Sequence, residues 1–215
     1  MRKLYGYFRS SAAFRARIAL NLKGLDYESA SVHLTKNGGA QFAPEYRTMN
    51  PQSLVPVLQD GELTLFQSLA IIEYLDEVYP EPPLLPQSAI ERARVRSLAL
   101  MVACEIHPLN NLRVLRYLVR DLKVTEEQKD EWYRHWVLTG LEPLETRLAN
   151  DSASGNFCHG DAPGLADICL VPQLANARRF NIALDAFPTL VRVEQNCMAL
   201  KPFQDAAPSA QADAE

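Results

Sequence analysis

Long apolar runs are missing from this 215-residue chain, and no stretch approaches the roughly 18 residues that a membrane-spanning helix needs. The opening MRKLYGYF also lacks the apolar core of a secretory signal peptide. The 22 lysines and arginines are dispersed among 26 acidic residues, for a net charge of −4, which argues against a nucleic acid or an anionic membrane as the main partner. We therefore expect a cytoplasmic protein with no membrane and no nucleic-acid partner.

Paired cysteines are missing as well. Cys104, Cys158, Cys169 and Cys197 form no CxxC motif, and no histidine is spaced to complete a zinc site with them. Cys169 and Cys197 fall in apolar helical patterns, which is typical of buried free thiols. The sequence therefore predicts reduced cysteines and no metal.

Strand-like sequence is confined to residues 1–80. Asp60-Gly61 lies between two apolar runs and predicts a β-hairpin over 55–66. Ser68 precedes an amphipathic run that stops at Pro80, which predicts a helix with Ser68 as its N-cap. Together with strands over 3–8 and 27–34, a helix over 12–22 and a weaker one over 41–48, the predicted order is βαβαββα.

Proline marks the predicted domain boundary. The stretch PEPPLLPQSA has four prolines in residues 80–86, which cannot be helix interior or central strand, so we assign 81–88 as a linker. Beyond it, helical periodicity covers 89–121, 125–149, 164–180 and 188–200. We expect an α/β domain over 1–80 and an all-helical domain over 89–215 that ends in a frayed tail.

The segment YFRSSAAFRARIALNLKG places two serines where a helix begins, with no histidine, cysteine or carboxylate within ten residues of either. The simplest interpretation of the two serines is that one of them is the N-cap of this helix. The absence of a local base and of a G-x-S-x-G elbow disfavours a serine nucleophile. A hydroxyl at a helix N-terminus can instead donate to an anion carried by a ligand, helped by the helix dipole.

Two other segments point to the same kind of ligand. Gln67-Ser68 offers a second helix start, and Val55-Pro56 opens a strand whose backbone groups can pair with an extended molecule. Two helix N-termini and one strand edge suit a short peptide with a carboxylate, and a thiol peptide would suit Ser10 or Ser11.

At these residues the chain resembles the zeta class of glutathione transferases, which includes maleylacetoacetate isomerase and bacterial maleylpyruvate isomerase. The resemblance spans residues 5 to about 188. The VP, QS and LAD motifs identify only the superfamily, whereas the SS-x-x-x-R-x-RIAL and VPQ-x-x-NA-x-RF runs are more specific to the class. The stretches that carry it are YFRSSAAFRARIALNLKG, NPQSLVPVL, QSLAIIEYLDEVYP, IHPLNNLRVL and LADICLVPQLANARRF.

The resemblance implies a thioredoxin-like glutathione-binding domain, a helical domain that shapes the substrate pocket, and a homodimer. It implies that Ser10 steadies the glutathione thiolate, that Ser11 assists, and that the thiolate adds reversibly to the cis double bond of a maleyl-type diketo acid. The remaining positions matching glutathione contacts are Gln41, Val55, the cis proline Pro56, Gln67 and Ser68, with His107 and Asn111 reaching across the dimer. From the residues alone, His107 is equally well explained as a structural histidine at a helix break.

The proposed intermediate carries carboxylates, so the site needs cations. Arg9 and Arg179 are the preferred clamps, since guanidinium binds a carboxylate in a bidentate manner. Arg15 and Arg17 are explained as solvated or ion-paired helix positions, and Arg178 as a surface arginine.

The sequence departs from the class pattern in two places. Ala12 and Ala13 follow the serines where the class often has SSCS, so the customary cysteine is absent. Gly164 replaces the usual capping Thr or Ser before LAD, which should deprive Asp167 of its capping-box partner.

The resemblance favours maleylacetoacetate as substrate, in tyrosine and phenylalanine breakdown. Some maleylpyruvate isomerases have an extra arginine after NN, where this chain has Leu112. Maleylpyruvate, a general transferase acting on α-haloacids, and a non-catalytic glutathione-binding module remain the alternatives.

Overall fold

A computed structural model describes all residues, 1–215. The chain forms two compact units, Met1–Leu84 with Met198–Glu215, and Leu85–Cys197. The division between residues 84 and 85 falls within the segment predicted as a linker. No helix combines the length and the apolar character that crossing a membrane requires.

A four-stranded sheet forms the centre of the first unit. The strand order is β2-β1-β3-β4, with β2 parallel to β1 and both β3 and β4 antiparallel to their neighbours. The predicted βαβαββα order is confirmed, as is the α/β thioredoxin-like class. The elements are β1 (Arg2–Gly6), α1 (Ser11–Leu22), β2 (Glu28–Ser31), α2 (Pro44–Met49), β3 (Val57–Asp60), β4 (Leu63–Phe66) and α3 (Ser68–Val78).

The predicted hairpin is present, but its first strand starts two residues late. Asp60 pairs with Leu63 across a two-residue loop, and Gly61 in that loop has a φ of 61°, which glycine adopts without penalty. Val55 and Pro56 lie outside the ladder and are joined by a cis peptide bond.

The expectation that the α1 arginines are solvated is wrong, and Arg17 is not ion-paired either. Arg15 is 1% exposed and Arg17 is 3% exposed. The Arg17 guanidinium donates to the backbone carbonyls of Phe8 at 3.0 Å and Ala206 at 2.8 Å, so it ties the start of α1 to the C-terminal segment. Burial lowers the pKa of Arg17 to about 10.

Ser68 is not the N-cap of α3, contrary to the sequence prediction. Gln67 occupies that position with φ 72° and ψ 115°, and its side chain makes no capping hydrogen bond. Ser68 is the first helical residue and is buried.

The second unit is all helical, as predicted. Its helices are α4 (Ala89–Leu100), α5 (Leu112–Arg120), α6 (Glu126–Ala149), α7 (Leu165–Arg179) and α8 (Pro188–Met198). The helical periodicity over 89–121 is interrupted: a π-helical turn (Met101–Ile106) follows α4 and residues 107–111 are non-helical, which agrees with a helix break at His107. Gly140 of α6 allows this turn to approach closely, since a Cβ there would lie 2.2 Å from Ile106.

The start of α7 retains part of a capping box even though Gly164 replaces the usual Thr or Ser. Asp167 accepts a hydrogen bond from the Gly164 N–H at 2.9 Å, and its other oxygen accepts from the Cys158 N–H at 2.8 Å. Glycine has no side chain to return the bond, so the capping box is half complete. Burial raises the pKa of Asp167, while these hydrogen bonds oppose the shift.

The C-terminal residues do not belong to the helical unit and are not frayed. Helix α9 (Lys201–Ala206) packs on α1, where the Asn21 side chain donates to the Pro202 carbonyl at 3.0 Å. Asp213 accepts from the Ser31 hydroxyl at 2.7 Å, and Glu215 forms an ion pair with Lys36. Polar contacts with β2 and the loop after it therefore hold the tail, which local sequence alone does not reveal.

Candidate active site

The sheet register brings three of the predicted segments to one edge. Tyr5 of β1 pairs with Val57 of β3, and Val57 pairs with Phe66 of β4. The end of β1, the start of β3 and the end of β4 therefore adjoin one another, and they lead to Ser10, to Val55-Pro56 and to Gln67-Ser68. Because β2 is parallel to β1, it ends at the same edge and leads into the loop that contains Gln41.

Ser10 is the N-cap of α1, as predicted. Its Oγ accepts a hydrogen bond from the Ala13 N–H at 3.2 Å, and its own N–H donates to the Tyr7 carbonyl at 2.9 Å. The hydroxyl hydrogen is not used by the cap, so Ser10 can cap the helix and donate to an anion at the same time. The first turn of α1 contains no acidic residue to offset the positive end of its dipole.

Ser11 and Arg9 flank this cap with different exposures. Ser11 is the first residue of α1 and is buried. Arg9 is exposed, and its guanidinium donates two hydrogen bonds to the hydroxyl of Tyr7. No sequence pattern indicates a role for Tyr7, and only its hydrogen bonds with Arg9 connect it to the site.

The segment before Val55 is held by two side chains that sequence reasoning also missed. The buried Asn50 donates to the Leu54 carbonyl at 2.9 Å, and the Tyr46 hydroxyl donates to the same carbonyl at 2.6 Å. Neither the N–H nor the C=O of Val55 has a backbone partner, so both are available to an extended ligand. The Asn-Pro pair at 50–51 is a turn signal that could have indicated this support.

Gln67 is held in a backbone conformation that non-glycine residues rarely adopt. Its φ of 72° has a cost of order 1–3 kcal/mol, and such strain is concentrated at functional sites. Its side-chain amide donates to Oε1 of Gln52 at 2.9 Å. Like α1, helix α3 has no acidic residue in its first turn.

Gln41 is buried, and only one end of its amide has a partner. Nε2 donates to the Leu34 carbonyl at 3.3 Å, whereas Oε1 has no hydrogen-bond partner within the chain. A buried carbonyl oxygen without a donor is destabilising unless a ligand or water supplies one. This oxygen therefore suits the N–H group of a bound peptide.

The residues predicted in the second unit have structural roles of their own. Asn111 is the N-cap of α5 and accepts from the Arg113 N–H at 3.1 Å, while His107 closes the π-helical turn through its N–H to the Val102 carbonyl at 2.9 Å.

Arg179 is exposed, and its guanidinium lies over the Phe180 ring. Arg178 pairs with Glu194 at 2.7 Å, which agrees with its interpretation as a surface arginine.

The residues present fit glutathione. The Ser10 hydroxyl suits a thiolate, the unpaired Val55 backbone groups suit the cysteinyl residue, and the orphaned Gln41 Oε1 suits a peptide N–H. A thioredoxin-like sheet with this edge site, combined with a separate all-helical unit, defines the class of the protein as a glutathione transferase.

Comparison with known proteins identifies the family. The glutathione S-transferase N-terminal domain family matches residues 2–77. A probable maleylacetoacetate isomerase of Vibrio cholerae is 52% identical over 211 residues, covering 98% of this chain and 97% of its own. The chain therefore belongs to the zeta-class glutathione transferases, the family of the maleylacetoacetate and maleylpyruvate isomerases.

Two solved structures agree with this assignment over the whole chain. A zeta-class bacterial maleylpyruvate isomerase in its holo form has a TM-score of 0.96 and 45% identity, covering 99% of this chain and all of its own. The maleylacetoacetate isomerase of Methylobacterium extorquens AM1, solved with malonate and glutathione, has a TM-score of 0.95 and 43% identity, covering 99% of both chains.

Proposed function

We propose that this protein is a glutathione-dependent cis–trans isomerase that converts maleylacetoacetate to fumarylacetoacetate, with glutathione transferase side activity. The observation that carries the proposal is Ser10, whose hydroxyl caps α1 through its oxygen and keeps its hydrogen for an anion. The 52% identical relative, named a probable maleylacetoacetate isomerase, supports the choice of substrate.

Glutathione, when bound, would supply a thiolate for reversible addition to the cis double bond; after rotation about the resulting single bond, breaking the C–S bond would re-form the double bond as trans and regenerate the thiolate. The task of Ser10 is to favour the ionised thiol. A free thiol has a pKa near 8.5, and lowering it by about two units requires about 2.7 kcal/mol. A hydrogen bond to a charged acceptor contributes roughly 1.5–3 kcal/mol and a helix N-terminus about 0.3–1 kcal/mol, so Ser10 and α1 suffice without a protein base.

Ser11 assists Ser10 as a second hydroxyl, and the other contacts hold the peptide. Gln67 and Ser68 bind the glutamyl end at the start of α3, while Val55, beside Pro56, pairs with the cysteinyl backbone. Gln41, His107 and Asn111 make the remaining contacts with glutathione.

Arg9 and Arg179 bind the substrate carboxylates and stabilise the enolate charge that develops beside them. Malonate, a dicarboxylate, is bound together with glutathione in the Methylobacterium relative, which supports a site for two carboxylates.

We also propose a cytoplasmic homodimer. The cytoplasm keeps glutathione in the reduced form that the reaction needs. The first unit exposes Leu63, Phe66 and Val78, which are apolar residues suited to burial against a second copy. Sedimentation equilibrium tests the dimer, and a monomer at micromolar concentration would contradict it.

The decisive experiment compares turnover of maleylacetoacetate and maleylpyruvate by the purified protein, with and without glutathione, through loss of the absorbance of the conjugated cis acid. Fast glutathione-dependent turnover of maleylacetoacetate that Ser10→Ala lowers several-fold or more near pH 7 supports the proposal. Turnover that persists without glutathione, or that Ser10→Ala leaves unchanged, would overturn it.

Maleylpyruvate is the second candidate substrate, because the holo maleylpyruvate isomerase matches this chain with a TM-score of 0.96. Leu112, where some of those enzymes have an arginine, favours maleylacetoacetate. A preference for maleylpyruvate in the same assay would move the substrate assignment without changing the chemistry. Conjugation of an α-haloacid without isomerisation would indicate a general transferase, and binding without turnover a glutathione-binding module.

A further inference from the structure

The two arginines proposed to bind substrate share an unusual environment, each within its own unit. In the first unit, Arg9 donates to the Tyr7 hydroxyl from Nε at 3.1 Å and from Nη2 at 2.7 Å. Its guanidinium carbon lies 5.0 Å from the centre of the Phe8 ring. Arg9 is therefore held by one tyrosine hydroxyl and one adjacent phenylalanine.

A related arrangement occurs in the second unit. The guanidinium carbon of Arg179 lies 4.7 Å from the centre of the Phe180 ring, and Tyr133 stacks on the same ring. The nearby Arg179 guanidinium opposes the rise that burial causes in the pKa of Tyr133. Each of the two arginines therefore lies beside an adjacent phenylalanine ring and near a buried tyrosine.

Both tyrosines are rigidly placed. Tyr7 is 4% exposed and packs edge to face against Phe8 and His33, each at 4.8 Å between ring centres. Tyr133 is 2% exposed and stacks on Phe180 at 3.6 Å with an interplanar angle of 14°. A hydroxyl on a buried, stacked ring offers a hydrogen-bond acceptor at a well-defined position, which limits the orientations of the exposed arginine.

Neutral partners distinguish these two arginines from Arg178 and Arg94. Arg178 pairs with Glu194 at 2.7 Å and Arg94 pairs with Asp151 at 2.8 Å, so their charges are offset. No carboxylate lies within salt-bridge distance of Arg9 or Arg179.

The chemical consequence follows from the charge of the partner. An acidic partner would offset the guanidinium charge and compete with a bound carboxylate. A tyrosine hydroxyl accepts a hydrogen bond and leaves the full positive charge available. Burial raises the pKa of Tyr133 to about 12, so this residue stays neutral at physiological pH.

We propose that Tyr7 and Tyr133 are positioning residues that orient Arg9 and Arg179, respectively, for the carboxylates of the substrate. This inference rests on the proposed function, because it takes the two arginines as the carboxylate-binding groups. It assigns carboxylate recognition to the tyrosine hydroxyls acting through the arginines and gives them no part in glutathione binding.

The test uses two S-substituted glutathione probes, only one of which carries carboxylates on its substituent. S-(1,2-dicarboxyethyl)glutathione carries two carboxylates on the sulfur substituent, whereas S-methylglutathione carries none there. Tyr7→Phe and Tyr133→Phe each remove one hydroxyl and keep the ring. By calorimetry, each variant should bind the dicarboxyethyl probe roughly ten-fold more weakly, the effect of about one hydrogen bond to a charged group, and bind S-methylglutathione as the wild type does. Substrate KM should rise with a smaller change in kcat.

Tyr27→Phe is the matched control. Tyr27 is a partly buried tyrosine near Arg17, an arginine outside the proposed site, whose charge opposes the rise that burial causes in the pKa of Tyr27. The Tyr27→Phe substitution should leave the affinity for both probes unchanged. Equal weakening of both probes in Tyr7→Phe and Tyr133→Phe would indicate general structural damage and overturn the inference, as would unchanged binding of the dicarboxyethyl probe.

Arg9→Gln and Arg179→Gln separate this inference from the proposed function. If these variants lose the dicarboxyethyl probe selectively while the tyrosine variants do not, the arginines bind carboxylate without help from the tyrosines and the inference fails alone. If the arginine variants do not discriminate between the probes, the carboxylate-binding role itself fails and the inference falls with it.

Discussion

Replacing Ser10 by glycine should remove the proposed thiolate donor while leaving α1 nearly intact. The Ser10 Oγ accepts from the Ala13 N–H at 3.2 Å, so Ser10→Ala would also remove a helix cap worth about 1 kcal/mol. Glycine at an N-cap costs only a few tenths of a kcal/mol relative to serine. Ser10→Gly therefore tests the hydroxyl separately from the stability of the helix.

The magnitude follows from the hydrogen bond that is lost. If the bound thiol has a pKa of about 6.5, losing a bond of roughly 1.5–3 kcal/mol raises that pKa by about one to two units. Near pH 7 the thiolate fraction then falls from about three quarters to between roughly a fifth and a fiftieth. We expect kcat/KM to fall about 4- to 40-fold there and to recover most of the loss above about pH 9.

The assay follows the ultraviolet absorbance of the thiolate of bound glutathione against pH, alongside kcat/KM. Ser88→Ala is the control, because Ser88 caps α4 in the same way, accepting from the Glu91 N–H at 3.3 Å, and has no place in the proposed site. It should lower the free energy of unfolding by about 1 kcal/mol without changing the thiol pKa.

Two outcomes would refute the assignment of Ser10. An unchanged thiol pKa in Ser10→Gly would show that the hydroxyl does not stabilise the thiolate. A loss of activity that is equal near pH 7 and above pH 9 would show that Ser10 acts on something other than ionisation.

Three further predictions concern the surrounding structure. Asn50→Ala should lower the free energy of unfolding by about 1–3 kcal/mol and raise the KM for glutathione, because the Leu54 carbonyl loses one of its two donors and the Gln52 N–H loses its acceptor; thermal melting and glutathione titration check this. Gly140→Ala should cost about 1–3 kcal/mol through overlap with Ile106, and Ile106→Ala should relieve part of that cost in the double variant by thermal melting. The ion pair with Lys36 depresses the pKa of Glu215. The stabilisation of the tail by this ion pair is therefore present above the ordinary pKa range of a carboxyl group and is lost as the pH falls below that range. Hydrogen exchange of residues 208–215 should accelerate at low pH in the wild type, and already at neutral pH in Glu215→Gln.

Predictions that depended on short-range signals were the most successful. The Asp60-Gly61 step predicted the hairpin, and the hydroxyl of Ser10 before an apolar helical pattern predicted its capping bond. Both features depend on backbone requirements that neighbouring residues satisfy, so a few residues of sequence contain the necessary information.

Predictions from local patterns failed where the feature depends on contacts with distant parts of the chain. Ser68 has the residue type of an N-cap, but the chain places Gln67 there with a positive φ, a conformation that only the surrounding structure can maintain. Arg17 has the charge of a surface residue, yet its guanidinium is satisfied by two backbone carbonyls, one of them 189 residues away in the chain. No local pattern indicates an acceptor at that separation.

The sequence by itself determined the order of the elements, because periodicity, turn residues and capping groups act over a few positions. Its resemblance to the zeta class indicated the class of the fold and the residues proposed to carry the chemistry. Only the tertiary structure decided how those residues are supported. It placed the Tyr7 hydroxyl where it accepts hydrogen bonds from Arg9, left Oε1 of Gln41 without a donor, and packed the C-terminal segment against α1. These features arise from packing between elements far apart in the chain, where the partner of a polar group depends on the whole fold.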